Sequence, residues 1–183
     1  RSLTYEYVSQ GKSVTEPQQD LFKRCELAPE ALADLKDRCA QRDVVFRSTP
    51  TGPESLRDLV DLGVALLKNG SDFLTHLPMI RAMGETGLPT VLSTGMATRE
   101  EIDDAVRIFR ATGNDRLIVL HCTSAYPTPP AEANLRRIPA LSARTGCPVG
   151  FSDHTEGWTA AVGAVALGAC LVEKHFTLDH NLP

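Results

Sequence analysis

Two histidines, His154 and His175, each close a short aliphatic run, and each has a carboxylate nearby: Asp153 beside the first and Glu173 two residues before the second. If the runs are adjacent strands, the imidazoles meet across one interstrand spacing of about 5 Å. Two imidazoles at that separation suit a Mn, Zn or Fe-type divalent ion with open coordination positions. A histidine taken alone more often only hydrogen-bonds to backbone; the flanking acids favour the metal reading here. Lys68 closes the apolar run 64–67, and an ammonium there is costly to bury unpaired, so it is expected to meet an anion. Thr49, Ser71, Ser93, Ser124 and Ser152 lie at comparable run ends and add neutral donors. With Lys68 they compose a cradle for a phosphate dianion, although each hydroxyl by itself would serve as a strand-end cap. Tyr126, in a proline-rich loop just past Thr123 and Ser124, is placed to grip a sugar.

Other residues carry less. His76 follows a turn, His180 sits past the last run beside Asn181 as a solvated residue, and His121 ends a run but ranks below His154. Trp158, on an expected helix, and Met96, after a Ser-Thr-Gly turn, read as core residues. Neither GxxxxGK[ST] nor GxGxxG occurs, so nucleotide-binding loops of those kinds are unsupported. No nucleophile elbow is found.

The elements that must position these groups follow from periodicity. Short β-branched and aliphatic runs at 44–46, 64–67, 90–92, 117–120, 147–151 and 169–173 alternate with helix-periodic stretches at 54–62, 79–86, 99–111, 135–145 and 158–167. Gly63, Gly87, Gly113, Gly146 and Gly168 mark the helix ends. Such alternation predicts βα units around a parallel sheet. Six strands fall short of a closed barrel at roughly 31 residues per unit, and a doubly wound open sheet is the competing architecture. The hydroxyls, amides and ionisable groups ending almost every run decide for the barrel, because barrel enzymes keep their chemistry at the C-terminal strand ends. The expected fold is thus an α/β class (β/α)8 TIM barrel, incomplete, with about strands 3 to 8 present. Residues 1–23 are polar and poorly periodic and read as a long loop; 28–40 reads as a helix.

Bulk properties bound the function. The 183 residues are 42% hydrophobic with a formal net charge of −4. They can bury a sizeable core but offer no bulk electrostatic attraction to nucleic acid or an anionic membrane, and no apolar stretch is long enough to span a bilayer. The five cysteines form an odd set without CxxC spacing, which predicts reduced thiols and a cytoplasmic location. No charged-then-apolar leader follows Arg1, and the absent initiator methionine points to a fragment.

Four strings bring these residues together: Val91-Leu-Ser-Thr-Gly-Met-Ala-Thr98, His121-Cys-Thr-Ser-Ala-Tyr-Pro-Thr-Pro129, Gly150-Phe-Ser-Asp-His-Thr155 and Ala166-Leu-Gly-Ala-Cys-Leu-Val-Glu-Lys-His-Phe-Thr-Leu-Asp179. The chain, from about residue 22 to 183, resembles the N-acetylneuraminate (sialic acid) synthase family, which includes legionaminate, pseudaminate and spore-coat polysaccharide synthases. The resemblance implies condensation of phosphoenolpyruvate with the open-chain aldehyde of an N-acetylated aminosugar such as N-acetylmannosamine, giving a nine-carbon α-keto acid and phosphate. It implies that His154 and His175 are metal ligands, with Mn²⁺ the expected ion, and that Lys68, Thr49, Ser71, Ser93, Ser124 and Ser152 bind phosphoenolpyruvate. Glu173 is then a catalytic carboxylate, acting as acid/base or orienting water at the metal, and Tyr126 contacts the sugar.

The chain also departs from the family pattern. Lys68-Asn-Gly-Ser-Asp-Phe73 carries its carboxylate one residue early, which on a strand end would turn Asp72 away from the sugar, and Ser124 stands where many members have asparagine. The family's first two strands, including a lysine whose place would be near Arg1, and its C-terminal antifreeze-like domain are expected to be absent. Leu178-Asp-His-Asn-Leu-Pro183 resembles the start of the loop leaving the barrel. The fragment alone is then expected to be inactive, and the full-length protein a homodimer. The competing chemistry is an α-keto acid aldolase using Lys68 or Lys174 as a Schiff base.

Overall fold

In the computed structural model, residues 3–9 and 11–179 are described. Arg1, His180, Asn181, Leu182 and Pro183, and the expectations attached to them, lie outside the described residues. The chain forms two compact units, one from its first 42 residues with those after 175, the other from residues 43–175.

The second unit is a parallel α/β assembly. Strands β3 (Leu67–Asn69), β4 (Thr90–Ser93), β5 (Leu117–Cys122), β6 (Val149–Asp153) and β7 (Val172–Lys174) pair in that order, every pair parallel. Helix α3 (Pro53–Asp61) precedes β3, and α4 (Leu77–Glu85), α5 (Arg99–Arg110), α6 (Arg137–Thr145) and α7 (Thr159–Ala166) are the crossovers between successive strands. This curled sheet with its helices is an incomplete (β/α)8 barrel. The outer core lies where α4 to α6 pack on the sheet: Phe109, Ile80 and Leu92 are at most 1% exposed. Helix α5 starts cleanly because Thr98 and Glu101 cap each other reciprocally, the Thr98 hydroxyl accepting from the Glu101 amide at 3.3 Å and the Glu101 carboxylate from the Thr98 amide at 2.7 Å. At the other end of α6, Gly146 takes the left-handed conformation at φ 63° that closes the helix and turns the chain into β6.

Three expectations need correction. The run 44–46 is not a strand: Val44 and Val45 are 55% and 65% exposed, and only a single bridge at Ser48 touches β3. Beyond that bridge no ladder pairing of residues 44–46 is found among the described residues. Run and strand bounds also differ: β3 begins where the run 64–67 ends and β6 extends two residues past 151, so Lys68 and Ser152, read as closing their runs, lie within strands, as Glu173 does. In the first unit, the expected loop is a hairpin, β1 (Thr4–Ser9) with β2 (Lys12–Pro17), followed by α1 (Gln18–Arg24). Gly11, at φ 74°, supplies the turn. The expected helix is present as α2 (Pro29–Ala40). All five cysteines are free thiols, and no helix among the described residues is long and apolar enough to cross a membrane.

Candidate functional site

A strand sends alternate side chains to opposite faces, and the parallel register aligns one inward row across the sheet. Lys68 pairs with Val91, Cys122 with Ser152, and Ser152 with Glu173. Of these, Lys68, Cys122, Ser152 and Glu173, with Ser93, face a cavity of about 580 Å³ at the C-terminal strand ends, which Ser71, Asp72, Met96, Ser124, Tyr126, His154 and His175 also line. The structure therefore gathers nine of the ten residues singled out from sequence. Thr49 is the exception: it is half-buried beside the Ser48 bridge and does not line this cavity.

The cavity has a cationic, hydroxyl-lined side. Lys68 is 9% exposed, and its ammonium lies 3.4 Å from Glu173 Oε1, the anion its burial called for. Ser71 Oγ donates to Ser93 Oγ at 3.0 Å and accepts from the Gly95 amide at 2.9 Å. A side chain at position 95 would collide with this group, because a Cβ there would sit 2.4 Å from Ser124 Oγ and 2.8 Å from Ser71 Oγ. Asp72 is not turned away. It lies in a 3-10 turn, Ser71–Phe73, where strand alternation does not apply, and it faces the cavity.

The opposite side holds the imidazoles. The His154 and His175 rings are 5.5 Å apart, and Tyr126 stands 4.1 Å from the first and 5.5 Å from the second. His154 Nδ1 is 2.8 Å from the Thr123 carbonyl, which can only accept, so Nδ1 carries the proton and Nε2 is bare. Ser152 Oγ is 3.3 Å from that Nε2 but gives its single proton to Glu173 Oε2 at 2.8 Å, which leaves the Nε2 lone pair available. Burial alone would raise the Glu173 carboxyl. The Lys68 charge, the Ser152 hydrogen bond and Arg47 at 3.1 Å outweigh it and hold the group below the usual carboxylate range. Burial instead lifts the Tyr126 phenol, helped by Cys122, Glu173 and Asp72.

The outward rows explain what the cavity leaves out. His121 stacks on Phe151 at 5.7 Å and donates from Nε2 to the Ala133 carbonyl at 2.7 Å; it faces away from the cavity, with burial lowering its pKa. His76 caps α4 by accepting from the Met79 amide. Lys174 points outward too, donating to Asp153 Oδ2 at 2.8 Å and the Thr155 carbonyl at 2.7 Å. The two residues read as core are not: Trp158 is 79% exposed, and Met96, 75% exposed, borders the cavity from a left-handed turn at φ 64°. Three groups at the site were not singled out from sequence. Alternation from Leu120 would have found Cys122, a charge directly after an apolar run marks Arg47, and nothing local distinguishes the Gly95 amide. A second cavity of about 490 Å³ lies between α5 and α6, bordered by Ile102, Leu141, Arg99 and Arg137.

Parallel strands, helical crossovers and polar groups gathered at the C-terminal strand ends define an incomplete βα barrel of the kind that carries enzyme sites at that rim. The sequence pattern of the NeuB family matches residues 2–183, and the chain belongs to that family. An N,N'-diacetyllegionaminic acid synthase from Campylobacter jejuni is 38% identical over 169 residues, covering 91% of this chain and 51% of that protein. An uncharacterized protein from Methanocaldococcus jannaschii is 42% identical over 163 residues, 89% of this chain and 48% of its own length. Among solved structures, an N-acetylneuraminic acid (sialic acid) synthetase from Leptospira borgpetersenii, in complex with citrate, superposes with a TM-score of 0.85 at 36% identity, over 87% of this chain and 56% of that one. The chain thus spans about half the length of the curated relatives it matches.

Proposed function

We propose that the protein carrying this chain is a sialic acid-type synthase, a transferase that joins phosphoenolpyruvate to an N-acetylated aminosugar aldehyde. The observation that carries this reading is the two-sided cavity: Lys68 with serine hydroxyls on one side, His154, His175 and Tyr126 on the other, and Glu173 between them. In the reaction, the phosphoenolpyruvate methylene carbon bonds to the aldehyde carbon, and the aldehyde oxygen gains a proton. Water adds at the carbon bearing the phosphate, and phosphate leaves with C–O cleavage, yielding the α-keto acid. Lys68 and the hydroxyls of Ser71, Ser93, Ser124 and Ser152 bind the phosphoenolpyruvate anion as charge-assisted donors. The ionised Glu173 accepts the proton of the adding water, and Tyr126 packs against the sugar. Two imidazoles fit a divalent metal: the Thr123 carbonyl fixes the His154 tautomer with Nε2 bare, the usual support for a ligating histidine. Among the described residues no cluster of three or more His, Cys, Asp or Glu side chains could hold an ion, so the pair would leave open positions. Bound there, Mn²⁺ would supply Lewis acidity toward the aldehyde oxygen.

The test is phosphate release from phosphoenolpyruvate with N-acetylmannosamine or a diacetylated analogue, with and without Mn²⁺. Release that needs both sugar and metal, and falls about 100-fold or more in Glu173→Gln, is the expected result. Borohydride trapping of pyruvate on a lysine, without phosphate release, would replace the synthase with the Schiff-base aldolase.

A further inference from the structure

The two imidazoles follow directly on strands of unequal security: β6 is buried along its length and paired on both sides, whereas β7 is neither. β7 is only three residues long, lies at the sheet edge, and has no fully buried side chain. On its inward face the tie to β6 is the Ser152 to Glu173 hydrogen bond, made by two residues that also serve the cavity. The outward face has a stronger connection. Asp153 and Lys174 are register partners, and the Asp153 side chain is 0% exposed. Its Oδ1 accepts from the Thr155 amide at 2.9 Å and the Thr155 hydroxyl at 2.7 Å, while Oδ2 accepts from the Lys174 ammonium at 2.8 Å. Lys174 donates again to the Thr155 carbonyl at 2.7 Å. The residues on either side of His154 are therefore bound to the residue just before His175.

The Asp153–Lys174 pair is buried on its carboxylate side only, the Lys174 side chain being 34% exposed; desolvation of the carboxylate offsets much of the attraction, and the best-attested use of such a pair is to select one register. Register matters here, because a slip of one residue exchanges the two faces of a strand. Slipping β7 by one would expel Glu173 and His175 from the cavity, insert Lys174, and leave the Asp153 carboxylate buried without its cation.

We propose that Asp153 and Lys174 are positioning residues, a latch on the outer face of β6 and β7 that holds His154 and His175 at ligating separation. The idea rests on the metal reading of the two histidines. It also gives Lys174 a role other than Schiff-base formation, since its amine is held in this network.

The test uses the protein that carries this chain and three variants: Lys174→Arg, Lys174→Met, and the paired Asp153→Asn with Lys174→Met. The paired variant removes both charges and so guards against simple misfolding from a lone buried carboxylate. Mn²⁺ affinity is measured by titration calorimetry, and hydrogen–deuterium exchange of the peptide spanning residues 170–177 is followed in metal-free protein. The paired variant should unfold cooperatively near the wild-type midpoint yet bind Mn²⁺ about 10- to 100-fold more weakly, the usual effect of removing support behind a ligand. Lys174→Arg should stay close to wild type. Affinity decides when wild type binds Mn²⁺: unchanged affinity in the paired variant overturns the latch whatever the exchange does. If wild type binds no Mn²⁺, the metal reading fails separately, and exchange decides. Faster exchange in the paired variant then supports the latch as a register device, and unchanged exchange overturns it.

Discussion

Residues 18–40 and residues 90–122 are both rich in regular structure, yet they are held in different ways. Helices α1 and α2 have no buried residue, and Phe22 and Leu27 are more than half exposed. Between β4 and β5, by contrast, Phe109, Ala105, Val119 and Leu120 are fully buried. The hairpin unit is tied by polar contacts: Arg24 donates to both Glu16 oxygens at 2.8 Å, and Tyr7 donates to Glu16 at 2.7 Å. Regular secondary structure is thus common to both regions, while apolar burial, which drives cooperative folding, is concentrated in the barrel segment that presents the site.

The sharpest test of this difference is a pair of truncations. Phe109→Ala should cost about 3–5 kcal/mol in denaturant unfolding, whereas Phe22→Ala should stay within about 0.5 kcal/mol; equal effects would erase the distinction.

A smaller effect of opposite sign is expected at Asn69. This residue is 0% exposed, and its Oδ1 has no hydrogen-bond partner among the described residues. Leucine has nearly the same shape, so Asn69→Leu should raise stability by about 1 kcal/mol. A loss on calorimetric unfolding would mean that the amide has a role there.

The barrel segment should also carry a pH response of its own. Burial, opposed by the bond to the Ala133 carbonyl and reinforced by Arg137, lowers the His121 pKa from its ordinary 6.5. Below about 6.5 the unfolded chain takes up a proton that the folded chain resists. Stability is therefore highest above 6.5, declines as the pH falls, and levels off below the folded value. His121→Gln, which keeps a donor toward Ala133, should flatten that slope in unfolding midpoints taken across the window.

The smallest effect is expected in the hairpin. The Arg24 hydrogen bonds and then the Tyr7 hydroxyl hold the Glu16 carboxyl below its ordinary 4.5. Arg24→Ala should return it toward that value in an NMR titration, with the unfolding midpoint unmoved, because exposed ion pairs contribute little to stability. A large drop in the midpoint would show that the first unit shares the barrel segment's cooperativity.

Much of the barrel segment was legible because hydrophobic periodicity and burial agree there. The helices were located to within about two residues, and the cavity residues were recognisable as polar groups ending apolar runs. The failures have physical causes. Val44 to Phe46 has strand composition, but composition does not supply a partner, and the segment pairs with β3 only at the later Ser48 bridge. Residues 4–17 lack apolar alternation, because their hairpin is held by backbone pairing and charge rather than by a buried face. Trp158 and Met96 are not core because the loops that carry them leave these large apolar side chains exposed at the strand-end rim.

The residue types and their spacing by themselves determined the alternation of strands and helices, the family, and which side chains could do chemistry, since these depend on local periodicity and on strings readable in one dimension. Only the tertiary structure decided which face each strand residue takes. That choice put Lys68, Cys122, Ser152 and Glu173 into the cavity, sent His121 and Lys174 outward, and brought Arg47 and the Gly95 amide to the site, because interstrand register joins residues that are far apart along the chain.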